Sequence, residues 1–247
     1  MAEVVALYSV KGGVGKTAST VNLAALSAAR GRKTLLWDLD PQGAASWYLQ
    51  AEEDRKGAAK KLLKPKSAAA GIMPSAMKNL WVLPTRQDQH HLEHLLAEKK
   101  DSGFRIAKVL DGLLDEFEEI WIDTPPGLSL LADNVLRASD MVLVPVVPTH
   151  LSLRTWQQLK NHLMQAQIKP GDIAAFLTMV DRRRVLHRNF AEQHQHDIPE
   201  LLEPQIPYAS LIEQMGDNRM PSVLTNARHP ASRAYMALWR AVEQYFT

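Results

Sequence analysis

Six short runs rich in β-branched and aliphatic residues recur along the chain, at 4–9, 34–37, 80–83, 120–122, 141–147 and 174–180, and several are apolar at every position. A strand with one wet face alternates apolar and polar residues. A run that is apolar throughout is how a strand reads when a parallel sheet is covered on both faces. Stretches of helical periodicity lie between the runs, at 16–30, 104–117, 129–138 and 153–167. Strand–helix alternation over 247 residues predicts a doubly wound α/β fold, mostly parallel, with helices on both faces and a single domain over 1–247. The closing segment, 231–246, sets Tyr235, Leu238, Trp239, Val242, Tyr245 and Phe246 at helical spacing and reads as an amphipathic helix packed on the sheet.

Composition narrows the chemistry. The chain has no cysteine, which excludes disulfides, thiolate zinc sites, iron–sulfur clusters and a cysteine nucleophile. Its formal net charge is only +2, so any basic surface is local. No run approaches the roughly 18 apolar residues of a spanning helix. The N-terminus lacks the basic and long apolar regions of a signal peptide, so a cytoplasmic location is expected.

The first run leads into Val10-Lys11-Gly12-Gly13-Val14-Gly15-Lys16-Thr17 and then a helical stretch. Glycines permit positive φ and close approach of backbone N–H groups, and a helix N-terminus adds unpaired donors and a favourable dipole. Strand, glycine turn and helix together suit a bound phosphate, with Lys16 as the point charge and the Thr17 hydroxyl as a Mg²⁺ ligand. The second run ends in Asp38-Leu39-Asp40-Pro41-Gln42-Gly43, with two carboxylates spaced i and i+2 that point the same way on an extended strand. Trp121-Ile122-Asp123-Thr124-Pro125-Pro126-Gly127 is a third apolar strand ending in an acid, which would hold a water of the Mg²⁺ shell.

The phosphate turn departs from the strict pattern, since its first glycine is replaced by Val10 and a second lysine, Lys11, stands before the glycine pair. This is the deviant Walker A motif. The chain resembles the ParA/MinD group of P-loop ATPases, and its Asp-Pro-Gln-Gly and Asp-Thr-Pro-Pro segments are closer to ParA. Thr178-Met179-Val180-Asp181-Arg182-Arg183 is similar to a ParA segment near the nucleotide base, and Ile206-Pro207 with Met220-Pro221 resembles the ParA stretch after the last strand. The resemblance implies ATP and Mg²⁺ held by residues 11–18 (Lys11, Gly12, Gly13, Val14, Gly15, Lys16, Thr17, Ala18), with Met179, Asp181 and Pro207 near the base. It implies Thr17, Asp38 and Asp123 around the metal, the aspartates through water. It also implies that Asp40 orients the attacking water and that Lys11 reaches across a homodimer to the partner's phosphates.

Such an ATP-bound dimer would bind nonspecific DNA on the nucleoid. A centromere-binding or adaptor protein would trigger its otherwise weak hydrolysis, for partition of a plasmid or chromosome or positioning of a large cargo. The short spacing before residue 11 resembles the ParA type without an N-terminal DNA-binding extension. Where related proteins carry Arg-Asn or Arg-Asp and a further Arg after Ile-Pro, this chain has Tyr208, Ala209 and Leu211.

Two arginine sets are candidate DNA surfaces, Arg182, Arg183, Arg184 and Arg188, and Arg219, Arg228, Arg233 and Arg240. The stretch 55–66 holds six basic residues, among them Arg55 and Lys56, and is a third. His90, His91 and His94 read as surface histidines. The alternatives are a MinD-like positioning ATPase attached to membrane through 231–246, and a metabolic synthetase of the same superfamily.

Overall fold

The computed structural model describes residues 2–51, 59–85 and 91–246. Segments 52–58 and 86–90 lie outside the described residues, and with them Arg55, Lys56 and His90. In chain order the elements are β1 (Glu3–Leu7), α1 (Lys16–Ala29), β2 (Thr34–Asp38), α2 (Ala44–Tyr48), α3 (Pro65–Ala69), β3 (Met73–Pro74), β4 (Leu80–Leu83), α4 (Leu92–Ala97), α5 (Arg105–Leu110), β5 (Glu119–Asp123) and α6 (Leu130–Ala138). They continue with β6 (Met141–Val146), α7 (His150–Gln165), β7 (Asp172–Val180), α8 (Val185–Gln193), β8 (Leu201–Pro207), α9 (Ser210–Glu213), α10 (Met215–Asn218), α11 (Ser222–Thr225) and α12 (Pro230–Glu243).

The strands form one eight-stranded sheet in the order β3-β4-β2-β5-β1-β6-β7-β8, parallel except for β3 against β4. Successive side chains of a strand point to opposite faces. Val5, Leu7, Leu36, Trp121, Leu143 and Phe176 therefore pack under α1 and α12. Their sequence neighbours Val4, Ala6, Leu35, Trp37, Ile120 and Ile122 pack under α4, α5 and α6. Val142, Val144, Ala175 and Leu177 pack under α7 and α8 on that second face. Two covered faces are why these strands are apolar at every position.

Some expected boundaries shift. The first strand ends at Leu7 rather than Ser9, because Tyr8 and Ser9 already turn into the glycine loop. The helix expected over 104–117 stops at Leu110 and continues as tighter turns around Gly112. β3 and β8 were not anticipated. β8 is an edge strand with an irregular register and two prolines, Pro204 and Pro207, so its sequence does not read as a strand. Ile206-Pro207 thus closes β8 instead of following it.

Pro145 sits inside β6, a central strand, without costing a ladder bond. In a parallel ladder the N–H and C=O of one residue face the same neighbour. The Leu143 carbonyl accepts from Tyr8 N–H at 3.1 Å, so position 145 also faces β1. The β1 ladder stops at Leu7 and Leu143, whereas β7 continues beside β6 to Val146 and Leu177. The N–H that proline lacks would have met no strand.

α12 lies on β8 and α1. Tyr235, Leu238, Trp239 and Val242 are buried, and Trp239 Nε1 donates to Ser27 Oγ at 2.8 Å. These four residues of its apolar stripe are covered, while Tyr245, just past the helix, is exposed. No helix among the described residues is long and apolar enough to cross a membrane.

At the amino end of the sheet Arg32 ties three elements together. Its guanidinium pairs with Glu3 of β1 at 3.3 Å, with buried Glu119 of β5, and with Glu243 of α12 at 2.6 Å. Trp121 Nε1 also donates to Glu119, at 2.9 Å. Removing Arg32 leaves the Glu119 carboxylate buried without its cation. Arg32→Ala is expected to cost about 3 kcal/mol in urea unfolding, the low end for a broken buried pair because Arg32 is itself partly exposed. Glu243→Gln, which leaves the Glu119 pair intact, is expected to cost under about 1 kcal/mol.

Candidate functional site

The site forms where β1, β2 and β5 end side by side. Leu7 is in register with Asp123, and Asp38 is in register with Asp123 on the other side. The glycine loop springs from β1 between β5 and β6, where successive connections leave in opposite directions across the sheet. In open α/β sheets that crevice is where ligands sit.

Gly13 and Gly15 have φ of 70° and 81°. Gly15 is also the N-cap of α1, and its left-handed conformation is what favours glycine there. The loop delivers Lys16 and Thr17 to the first turn of α1. Lys16 is buried, and burial lowers its pKa while the charges of Asp123 and Asp40 pull it back up. The Thr20 hydroxyl, one turn further, sits 3.0 Å from the Lys16 carbonyl and 3.3 Å from Asp123 Oδ1.

Asp123 and Asp38 are both completely buried. Asp38 Oδ2 accepts from Ser46 N–H at 2.9 Å and Ser46 Oγ at 2.7 Å, and Oδ1 accepts from Asp40 N–H at 3.2 Å. Burial raises its pKa, the Ser46 bonds oppose that, and the Asp40 charge adds to it. Asp123 is raised by burial and then by the Asp38 charge, with the Thr17 hydroxyl pulling it down. Its Oδ2 has no hydrogen-bond donor. A buried, orphaned carboxylate oxygen beside a threonine hydroxyl fits a hard divalent cation such as Mg²⁺, which binds few protein oxygens and completes its shell with phosphate and water. Among the described residues no three carboxylates or histidines form a metal site by themselves.

A cleft of about 500 Å³ opens over these groups, lined by residues 12–18 on one side, Asp40, Pro41 and Gln42 on a second, and Pro125 and Pro126 on a third. The structure therefore gathers Gly12, Gly13, Val14, Gly15, Lys16, Thr17, Ala18 and Asp40 around one space. Lys11 is exposed and is not part of that lining; its N–H donates to Ser9 Oγ at 3.2 Å.

Met179, Asp181 and Pro207 lie outside the cleft, at the adjoining ends of β7 and β8. Met179 holds the left-handed conformation, φ 53°, with its methyl group beside Gly15. Asp181 takes a two-pronged bond from Arg183 at 2.8 and 2.9 Å, which draws its pKa down to about 2.

The arginines separate into different roles. Arg182, Arg183, Arg184 and Arg188 are exposed on the β7–α8 loop and the start of α8, with Arg183 committed to Asp181. Arg228, Arg233 and Arg240 are exposed at and before α12, and Arg233 Nε donates to the Arg228 carbonyl at 3.0 Å. Arg219 does not belong with them. Its guanidinium lies 5.2 Å over the Trp47 ring and its Nε donates to the Trp47 carbonyl at 3.0 Å, so it packs α10 against α2.

Ser46 and Thr20 escaped sequence reasoning. Thr20 was findable as the helical i+4 partner of Lys16, but a lone serine eight residues after Asp38 carries no pattern.

An AAA domain family model matches residues 2–173 of this chain. The chromosome partitioning protein ParA of Myxococcus xanthus is 30% identical over 245 residues, covering 96% of this chain and 86% of that protein. The chain belongs to the ParA/MinD group of P-loop ATPases. Solved members of the fold overlay closely. An ATP complex of Cyanothece McdA gives a TM-score of 0.85 at 17% identity, covering 99% of this chain and 96% of that one. Cobyrinic acid a,c-diamide synthase from Mycobacterium smegmatis with ADP and magnesium gives 0.83 at 24%, covering 100% and 96%. At such identities the two overlays speak to the fold alone.

The raised Asp123 pKa has a signed consequence for this ParA/MinD-type protein. Stability from a carboxyl whose folded pKa is raised is fully present below about pH 4, and is lost as pH rises through the folded value. Asp123→Asn removes that loss. In urea unfolding without nucleotide or Mg²⁺, Asp123→Asn is expected to exceed wild type by about 1–2 kcal/mol at pH 8, with the gap closing at pH 4. Equal stabilities at pH 8 would contradict a raised Asp123 pKa.

Proposed function

We propose that this chain, acting as one ATPase domain, is an ATP-dependent dimerisation switch. It binds nonspecific DNA in the ATP state and hydrolyses ATP slowly until a partner stimulates it. The observation that carries this reading is the division of the two lysines. Lys16 is buried beneath the cleft, and Lys11 is exposed outside the lining of its own site.

In this reading residues 12–18 cradle the phosphates with backbone N–H groups, and Lys16 neutralises phosphate charge. Thr17 and Asp123 would hold Mg²⁺, which when bound offsets charge on the transferred phosphoryl group. Asp40, across the cleft from the glycine loop, orients the attacking water. Lys11 acts on the phosphates of the partner subunit, so the site is complete only in the homodimer. Positioning and charge stabilisation supply most of the catalysis in phosphoryl transfer, which suits a site built from fixed side chains. Met179, Asp181 and Pro207 border the base.

Partition and positioning follow from the family, since the ParA relative in Myxococcus xanthus is a chromosome partitioning protein. DNA would meet the exposed arginines of the β7–α8 loop and of α12, doubled by dimerisation. Hydrolysis would be triggered by a centromere-binding or adaptor protein, with the dimer residing on the nucleoid.

The test is binding to a long nonspecific duplex across a salt series, with Mg-ATP or Mg-ADP. Wild type is expected to bind with ATP only and to weaken steeply with salt, as several phosphate contacts demand. Asp40→Ala is expected to keep ATP-dependent DNA binding and to lose turnover at least about 100-fold. Lys11→Ala is expected to lose both, because its dimer does not close. Turnover without nucleotide-dependent DNA binding would sink the DNA switch. ATP-dependent capture by anionic liposomes in place of DNA would replace it with the membrane reading.

A further inference from the structure

We infer that Ser46 is a positioning residue for Asp40, acting through the carboxylate of Asp38. This rests on the reading of Asp40 as the group that orients the attacking water.

Asp38 ends β2 inside the protein, fully buried, with Asp123 in register beside it. A buried charge must be met by donors. Ser46 supplies two of them, its N–H and its hydroxyl, to Oδ2. The other oxygen, Oδ1, takes the Asp40 N–H. One carboxylate thus bridges the first residues of α2 and the backbone of Asp40. The rest of the loop closes on the same residue: Gly43 N–H donates to the Asp40 carbonyl at 2.9 Å, and Gln42 N–H to Asp40 Oδ1 at 2.9 Å. Its N–H, its carbonyl and Oδ1 are all engaged, which restrains Asp40 at the wall of the cleft.

Ser46 is itself held from behind. The next residue, Trp47, is gripped through its ring and its carbonyl by Arg219. The Ser46 backbone N–H would suffice to satisfy the start of α2. The added hydroxyl fixes the rotation of the carboxylate. This places Asp38 in the service of the Asp40 loop, with its oxygens committed to protein donors, and leaves the metal to Thr17 and Asp123.

The experiment uses the full chain with Mg-ATP. Ser46→Ala is expected to lower kcat about ten-fold while KM for ATP stays within about two-fold, the signature of a misplaced group acting in the transition state. Ser46→Cys, similar in size but a weak donor, is expected to lose less, about three-fold. Asp38→Asn is expected to fall at least as far as Ser46→Ala, and adding Ser46→Ala to it is expected to cost nothing more, because both act on one contact. The Mg²⁺ concentration for half-maximal rate is expected to stay within about two-fold in Asp38→Asn, as for a residue outside the metal shell.

A wild-type kcat in Ser46→Ala, additive losses in the double variant, or an Asp38→Asn protein whose main defect is a raised Mg²⁺ requirement would each overturn the inference. If Asp40→Ala retains turnover, the role of Asp40 itself fails. If Asp40→Ala is dead while Ser46→Ala is intact, only the positioning by Ser46 fails.

Discussion

Two carboxylates meet in register across the β2–β5 ladder, Asp38 and Asp123, both fully buried. The parallel register of two apolar strands forces the adjacency, since each strand ends in an acid at the same level of the sheet. Burial raises the proton affinity of both, and the Asp38 charge raises that of Asp123 further. Much of the surrounding architecture answers that cost. Lys16 enters the interior as the nearby cation. Thr20 and Thr17 approach Asp123. Ser46 and the Asp40 N–H satisfy Asp38. One oxygen, Asp123 Oδ2, stays without a donor, a demand that a divalent cation would fit.

The sheet order makes this arrangement possible. β1 lies between β5 and β6, so the glycine loop leaves a strand whose neighbours both continue to its level or beyond. Thr124 Oγ1 donates to the Leu7 carbonyl at 2.7 Å and Tyr8 Oη to the Gly127 carbonyl at 2.9 Å. These two bonds tie the base of the loop to the turn that carries Pro125 and Pro126, so two walls of the cleft are joined directly. The third wall, at Asp40, is joined through Leu39 N–H to the Asp123 carbonyl at 2.8 Å. The walls of the cleft are thus linked through backbone as well as side-chain hydrogen bonds.

What could be read from the sequence was what is local. A glycine loop between strand and helix, two acids spaced i and i+2 at a strand end, and an acid before Thr-Pro-Pro each declare their geometry within a few residues. The doubly covered sheet was legible because residues such as Leu35 and Leu36 are both apolar yet face opposite ways. β8 was not legible, because an edge strand tolerates prolines and needs no apolar alternation. Ser46, the triple pairing of Arg32 and the missing-donor logic of Pro145 depend on partners that only the folded sheet brings near. Charge counting failed most clearly at Arg219, where the side chain is spent on an aromatic ring instead of facing solvent.

Arg219 also shows how the two halves of the site share an anchor. α1 carries the glycine loop's helix, and its Asn22 Oδ1 accepts from Ser222 Oγ at 2.9 Å and Val223 N–H at 3.0 Å. The Asn22 amide also donates to Met215 Sδ at 3.2 Å. α2 carries the far side of the Asp40 loop, and its Trp47 is clamped by Arg219 from the same segment, 215–223. The helix that bears Lys16 and the helix that bears Ser46 are thus registered against one short stretch of chain. Ser232 Oγ, donating to the Ser222 carbonyl at 3.0 Å, carries that registration into α12, where Arg233 and Arg240 face outward. The helix after the phosphate loop, the helix after the Asp40 loop and α12 are therefore all seated on the one segment 215–223.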